Sequence, residues 1–209
     1  MKATHFLGSI ALLFVVTTYG QGVFQYDQQS SANETPFPGS GYVIQQIAPP
    51  FGQSFTPSLS AISFIRLKFS DANLSDSLGA TLYVNIRSGS ISGTILGATA
   101  TVTMVNGFAG VADFFFTVAL ALTPGTTYYF EPVLQSGGPW NIDAGELFYP
   151  GGALYANGQP NPAGDCWFRE GIIVPEPSTW ALLLAGGVIL SFARRFNFAS
   201  RSGAQGSGH

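Results

Sequence analysis

Charge is what this chain has least of: Asp, Glu, Lys and Arg make up 9% of its 209 residues, against about 25% in an ordinary soluble domain. That scarcity excludes a highly charged disordered chain, a long charged helix and a polybasic nucleic-acid binder. Histidine is almost missing too, with only His5 and His209 at the two ends. The body of the chain therefore cannot assemble a Ser-His-Asp or Cys-His catalytic set or the usual His-ligated zinc site. Cys166 is the only cysteine, so neither an internal disulfide nor a thiolate metal cluster can form. A lone cysteine of this kind can pair between chains, but a small buried residue beside Trp167 is the commoner use. Gly (26) and Pro (13) are by contrast abundant, and they follow no G-X-Y period. The composition is that of a turn-rich β protein.

Both ends are apolar. Lys2 precedes an uncharged stretch over 6–16, followed by Thr17-Thr18-Tyr19-Gly20-Gln21. A basic start, a short h-region and small residues spaced like A-x-A lay out a secretory signal peptide over 1–20, with cleavage after Gly20. At the other end, residues 180–193 form a 14-residue run interrupted only by Ser191 and closed by Arg194-Arg195. At 1.5 Å per residue it reaches about 21 Å, short of the roughly 30 Å hydrocarbon core. Ser178, Thr179 and snorkelling arginines lengthen the usable segment, and basic residues after the run place the C-terminus on the cytoplasmic side.

Val174-Pro175-Glu176-Pro177-Ser178-Thr179-Trp180, an apolar helix containing Gly186-Gly187, and then Arg194-Arg195 together resemble the PEP-CTERM sorting signal of bacterial exported proteins. The resemblance implies that Pro175, Glu176 and Pro177 are the element recognised by a membrane protease, exosortase. It also implies that 178–195 is a transient membrane anchor and Arg194-Arg195 its cytoplasmic stop. Such signals usually end at the basic cluster; here residues 196–209 follow, Gly/Ser-rich and read as a disordered tail. Physically, two prolines deny the tripeptide regular hydrogen bonding and hold it extended, as a protease target needs.

Between the ends, residues 21–174 suffice for one domain with its own core. Its ten acidic residues face four basic ones, Arg66, Lys68, Arg87 and Arg169. A net charge near −6 disfavours nucleic acid and anionic lipid as partners. Apolar and polar residues alternate strictly over 65–69 and 82–87, the period of a strand with one buried face. Further strands are expected over 23–27, 42–47, 53–56, 99–105, 111–118, 126–134, 153–156 and 167–173, with Asn106-Gly107 as a hairpin turn. No segment shows a helical period. Ten short strands predict an all-β fold, a single antiparallel β-sandwich of jelly-roll or immunoglobulin-like kind. Pro124-Gly125 suits the centre of a type II turn, and Tyr128 beyond it can return its hydroxyl to upstream backbone as in a tyrosine corner. Pro132 predicts that its strand ends near Glu131 or lies at an edge. Residues 81–130 with Ala153-Leu154-Tyr155 and Asp165-Cys166-Trp167-Phe168-Arg169 also resemble the sandwich domains called choice-of-anchor domains, a likeness that brings no established activity.

Chemically, carboxylate pairs remain. Asp143 with Glu146, or Asp165 with Glu170, are the nearest in sequence for a glycoside hydrolase, which needs two some 5–10 Å apart, although solvated loop charges are the commoner meaning. Calcium is the one cation the loops would suit, at Asp71, Asn73 and Asp76, whose spacing is not that of an EF-hand; turn capping explains them as well. No other cofactor and no metal site is indicated. Trp140, Tyr149, Tyr155 and Trp167 fall in or next to the Gly/Pro-rich stretch 137–164, where loops would display them as a platform for sugar rings. Plugging the ends of the sandwich is the commoner use of such residues and is the reading favoured here. The sequence thus predicts an exported, non-enzymatic β-sandwich protein of structural role, at the cell surface or in the extracellular matrix, whose partners are the export machinery and exosortase. A carbohydrate-binding module for surface polysaccharide is the alternative, and a carboxylate-dependent hydrolase a lesser one.

Overall fold

Strict alternation over 65–69 sets the pattern for the whole domain. Ile65, Leu67 and Phe69 are fully buried in the core, while Arg66 and Lys68 leave the opposite face of the same strand, β4 (Ala61–Asp71). In the computed structural model the residues described are 22–35, 41–46, 48–145, 147–162, 164–175 and 187. The expected signal peptide, Glu176, Pro177, Arg194, Arg195, the tail and Glu146 lie outside them, as does all of the expected anchor except Gly187. Among the described residues no helix is long and apolar enough to cross a membrane. Phe24–Val174 form one compact unit, and the terminal residues on either side fall outside it.

This unit is nearly all β, with two main antiparallel sheets. In the first, β4 carries β8 (Ala109–Ala121) along one edge. Its other edge is shared by β15 (Phe168–Val174), opposite 64–67, and β10 (Trp140–Ile142), opposite 69–71. β1 (Val23–Gln29) lies beyond β15, and β2 (Tyr42–Ile44) beyond β10. In the second sheet β5 (Ala80–Ser88) has β9 (Tyr128–Gly137) along one edge. Its other edge takes β6 (Thr94–Ala98) and β7 (Val102–Met104). The order continues from β9 through β3 (Gly52–Phe55) and β12 (Leu154–Ala156) to β13 (Gln159–Asn161). β11 (Ala144–Gly145) and β14 (Asp165–Cys166) make a separate two-stranded pair.

The inner faces of both sheets contribute to one core, as a β-sandwich requires. Aromatic rings tie it together: Phe130 of β9 lies 5.2 Å from Phe168 of β15, and Phe55 lies 6.3 Å from Phe130. The expected turn and corner are present. Gly125 has φ +76°, Thr126 N donates to Thr123 O at 3.2 Å, and Thr123 N donates to the Tyr128 hydroxyl at 3.0 Å.

Three local expectations change. Asn106-Gly107 is a turn, with Gly107 at φ +79° and Phe108 N on Val105 O, but it is not a hairpin: β7 and β8 belong to different sheets, so it carries the chain across the sandwich. The tight Asn-Gly hairpin is Asn157-Gly158 between β12 and β13, both at positive φ (53° and 74°), as a type I′ turn demands. Pro132 does not end its strand. β9 runs on to Gly137, and Pro132 is tolerated because the β3 ladder stops at Phe130, leaving one edge of β9 open there. The strands the pattern missed, β6, β10, β11, β13 and β14, have at most five residues each, too short to show a period.

Phe130→Ala should cost about 3–5 kcal/mol and Tyr128→Phe about 1 kcal/mol in urea unfolding of the full chain. A corner hydroxyl that costs nothing to remove would place the link between the sheets elsewhere.

Candidate functional site

Of the four aromatic residues read either as a displayed platform or as plugs of the sandwich, three are buried and no platform forms. Trp140 is fully buried in the core on β10, its Nε1–H without a hydrogen-bond partner. Tyr149 is 5% exposed; its ring meets Phe168 edge-on at 5.0 Å, and its hydroxyl donates to Gln28 Oε1 and accepts from Thr56 N. Trp167 is 1% exposed, but outside the main core. It sits on the outer face of the first sheet under residues 31–35, with Nε1–H on Asn33 O at 2.8 Å and Lys68 Nζ 5.3 Å from its ring. Only Tyr155 keeps a half-buried ring on an outer face, 5.3 Å from Tyr129. The cause of the correction is that 137–164 is not free loop. Its short strands pair with β2, β3, β4 and β14 and fix which way each side chain turns. The displayed aromatic of this stretch is Phe148, 82% exposed, which the sequence reading passed over.

The carboxylates expected as catalytic pairs are held in structural roles. Asp143 pairs with Lys68 at 2.9 Å, and its N–H donates to Lys68 O. Asp165 accepts from Gln53 Nε2 at 2.6 Å and from Tyr149 N at 2.8 Å, while Cys166 N donates to Gln53 Oε1. Glu170 is 1% exposed, and its Oε1 has no partner. Burial, reinforced by Asp27, pushes its pKa up to about 8, against a smaller opposing bond from Gln28 N–H. Burial also acts on Asp27, but the bonds from Ser58 and Leu59 outweigh it and hold that carboxyl below the usual range. Cys166 is fully buried, and burial beside Asp165 and Asp143 pushes its thiol well up, so pairing between chains is closed to it. The oxygens of Asp71, Asn73 and Asp76 accept from nearby backbone: Asn73 N and Gly107 N on Asp71, Ser75 N on Asn73, Leu78 N on Asp76. Among the described residues no group of three His, Cys, Asp or Glu side chains could hold a metal ion.

Every basic side chain of the domain is ion-paired. Arg66 bonds Glu34 and Asp113, Arg169 bonds Glu34, Lys68 bonds Asp143, and Arg87 bonds Glu131. Arg169 also lies 3.5 Å above the Tyr26 ring, whose hydroxyl accepts from Arg66 at 2.7 Å. Burial opposes the Glu34 charge, but Arg66 and Arg169 outweigh it and lower its pKa.

Among the openings that described residues line, two bear on function. The larger, about 530 Å³, lies between 147–153 and 162–165, with Phe148 at its rim and Asp165 in its wall. The smaller, about 230 Å³, is a groove between residues 42–51 and the outer face of β9, with Asn157 at one end. Glu131 lines this groove, and its Oε2 accepts from Asn85 Nδ2 (3.0 Å) and Arg87 Nε (2.9 Å). Of the sorting residues, Pro175 alone is described: it is exposed and directly follows the last residue of β15.

No family model matches the chain, and no curated protein does. Among solved structures, a carbohydrate-binding module from Clostridium stercorarium, determined with cellobiose, is 23% identical over 56% of this chain and 83% of that one, with a TM-score of 0.32. A likeness of that size carries no assignment.

The Glu170 carboxyl gives this region a pH dependence of known sign. Between about pH 4.5 and 8 the folded chain keeps a proton that the unfolded chain has released. Its stabilising share is therefore complete below about pH 4.5 and is lost progressively as pH rises to and through 8, on the order of 5 kcal/mol in all. Glu170→Gln should flatten the fall in urea midpoint between pH 5 and pH 8. An unchanged slope would mean that Glu170 does not titrate there.

Proposed function

We propose that this protein is an exported, non-catalytic β-sandwich of structural role at the bacterial cell surface or in the extracellular matrix. In this reading a C-terminal segment of PEP-CTERM type delivers it, exosortase and the export machinery handle it, and it rests in the membrane only through 178–195. The observation that carries the non-catalytic part is the engagement of its charges. The four basic side chains are ion-paired inside the domain, Asp143 is tied to Lys68, and Asp165 is tied to Gln53. Side chains fixed in this way hold the fold and are not poised for proton transfer at a substrate.

Sorting is supported by the sequence likeness and by where the last strand stops. β15 ends at Val174 and Pro175 is exposed, so the tripeptide begins where the compact unit ends. Of the two expected sandwich kinds the jelly-roll is favoured, because β3 to β5 and β7 to β10 alternate between the two sheets.

Expression with and without an exosortase tests the sorting reading. With the protease, the full chain should lose its C-terminal segment and leave the membrane fraction. Replacing Pro175, Glu176 and Pro177 by Ala should leave the uncleaved chain in the membrane. A chain truncated after Val174 that stays membrane-bound like the full chain would overturn it.

A further inference from the structure

From the chemistry of the smaller groove we infer that it binds a segment of neutral polysaccharide. The inference goes beyond the structural role and does not rest on the sorting signal. The groove's polar groups are placed and only partly engaged. Arg87 and Asn85 both bond Oε2 of Glu131, which orients the carboxylate. Its Oε1 has no partner among the described residues and remains an acceptor. The side-chain amides of Gln45 and Asn157 line the same groove, are exposed and make no hydrogen bond there. Each offers donors and an acceptor. A sugar ring presents hydroxyls that both donate and accept, and amides beside one carboxylate oxygen match that pattern.

The rest of the lining suits the ring's C–H faces. Pro50 and Val133 supply apolar surface. Among the described residues the cation beside the groove is Arg87, already bonded to Glu131 and to Gly93 O, so an anionic glycan finds no counter-charge there and meets Glu131 instead. At about 230 Å³ the opening is smaller than the roughly 300–1,000 Å³ of a pocket that encloses a small molecule, as fits a chain lying across a surface. The walls are fastened before any ligand arrives: Gln46 Nε2 donates to Gln135 O at 3.2 Å, and Gly158 N donates to Pro50 O at 2.8 Å. The ordering left to binding is that of the exposed Gln45 and Asn157 side chains.

The test uses the full chain in mild detergent, run by affinity electrophoresis through gels holding dextran, laminarin, hydroxyethyl cellulose or galactomannan, with glucose and mannose as competitors. At least one neutral polymer should retard the wild type, and the monosaccharides should displace it only weakly, since one ring fills a fraction of the groove. Gln45→Ala combined with Asn157→Gly should lower the affinity at least tenfold with the melting temperature unchanged. Glycine accepts the positive φ at 157, and neither side chain bonds elsewhere. Phe148→Ser, at the other opening, should bind as the wild type does. Retardation by none of the polymers, an undiminished affinity in the double variant, or loss of binding in Phe148→Ser alone would each overturn the inference. None of these outcomes bears on whether the chain is sorted or catalytic.

Discussion

Arg66 and Lys68 leave β4 on the same face, and much of that side of the first sheet is fastened to one or the other. Arg66 reaches Asp113 on β8, Tyr26 on β1 and Glu34 in the segment after β1. Lys68 holds Asp143 beyond β10, donates to Thr35 O and stands over Trp167. Residues 31–35 are thereby drawn across the sheet, and Trp167 disappears beneath them although it points away from the core. The opposite face of β4 presents Ile65, Leu67 and Phe69 to the core shared with the second sheet. One strand's alternation therefore fixes both the core and the outer layer.

A domain with only Arg66, Lys68, Arg87 and Arg169 as cations holds its outer faces in this way by committing all four. Ion pairs of this kind add little net stability when solvent reaches them, and removing one partner from a buried pair is costly. Their effect here is one of geometry: they determine which loops lie down and which carboxylate oxygens stay available. The consequence reaches function. The surface left to partners carries amides, hydroxyls, half-buried tyrosines and excess acid beside exposed apolar side chains such as Phe148 and Val118, and Glu131, oriented by Arg87 and Asn85, is one place where a committed pair leaves an unused acceptor.

The fold was legible where strands are long. The 65–69 and 82–87 alternations lie within β4 and β5, and the Pro124-Gly125 turn with Tyr128 is the corner seen in the structure. What could not be read was the stretch 137–164. Strands of two or three residues have no measurable period, and the same Gly and Pro that mark loops also mark strand ends packed too tightly for a side chain. Gly152, where a Cβ would lie 1.9 Å from Ser54 O, is one of these. The candidate site suffered for the same reason. Trp140 and Tyr149 lie in the Gly/Pro-rich stretch and are buried, whereas the groove is lined by Asn157 and Glu131, brought together by the pairing of β12 with β3 and β3 with β9, and by Gln45, in the segment after β2 that Gln46 ties to Gln135 O. The Asn157-Gly158 dipeptide was the one local sign of that corner.

The central claim is that the domain's cations are engaged internally, and arginine side-chain NMR reads this most directly. Arg66, Arg87 and Arg169 each donate through Nε, to Asp113, Glu131 and Gln29. At neutral pH these three Nε–H groups should give separate, slowly exchanging signals in the full chain, and each should be lost on replacing its own acceptor. Three signals that coincide in rapid exchange with water would contradict the account.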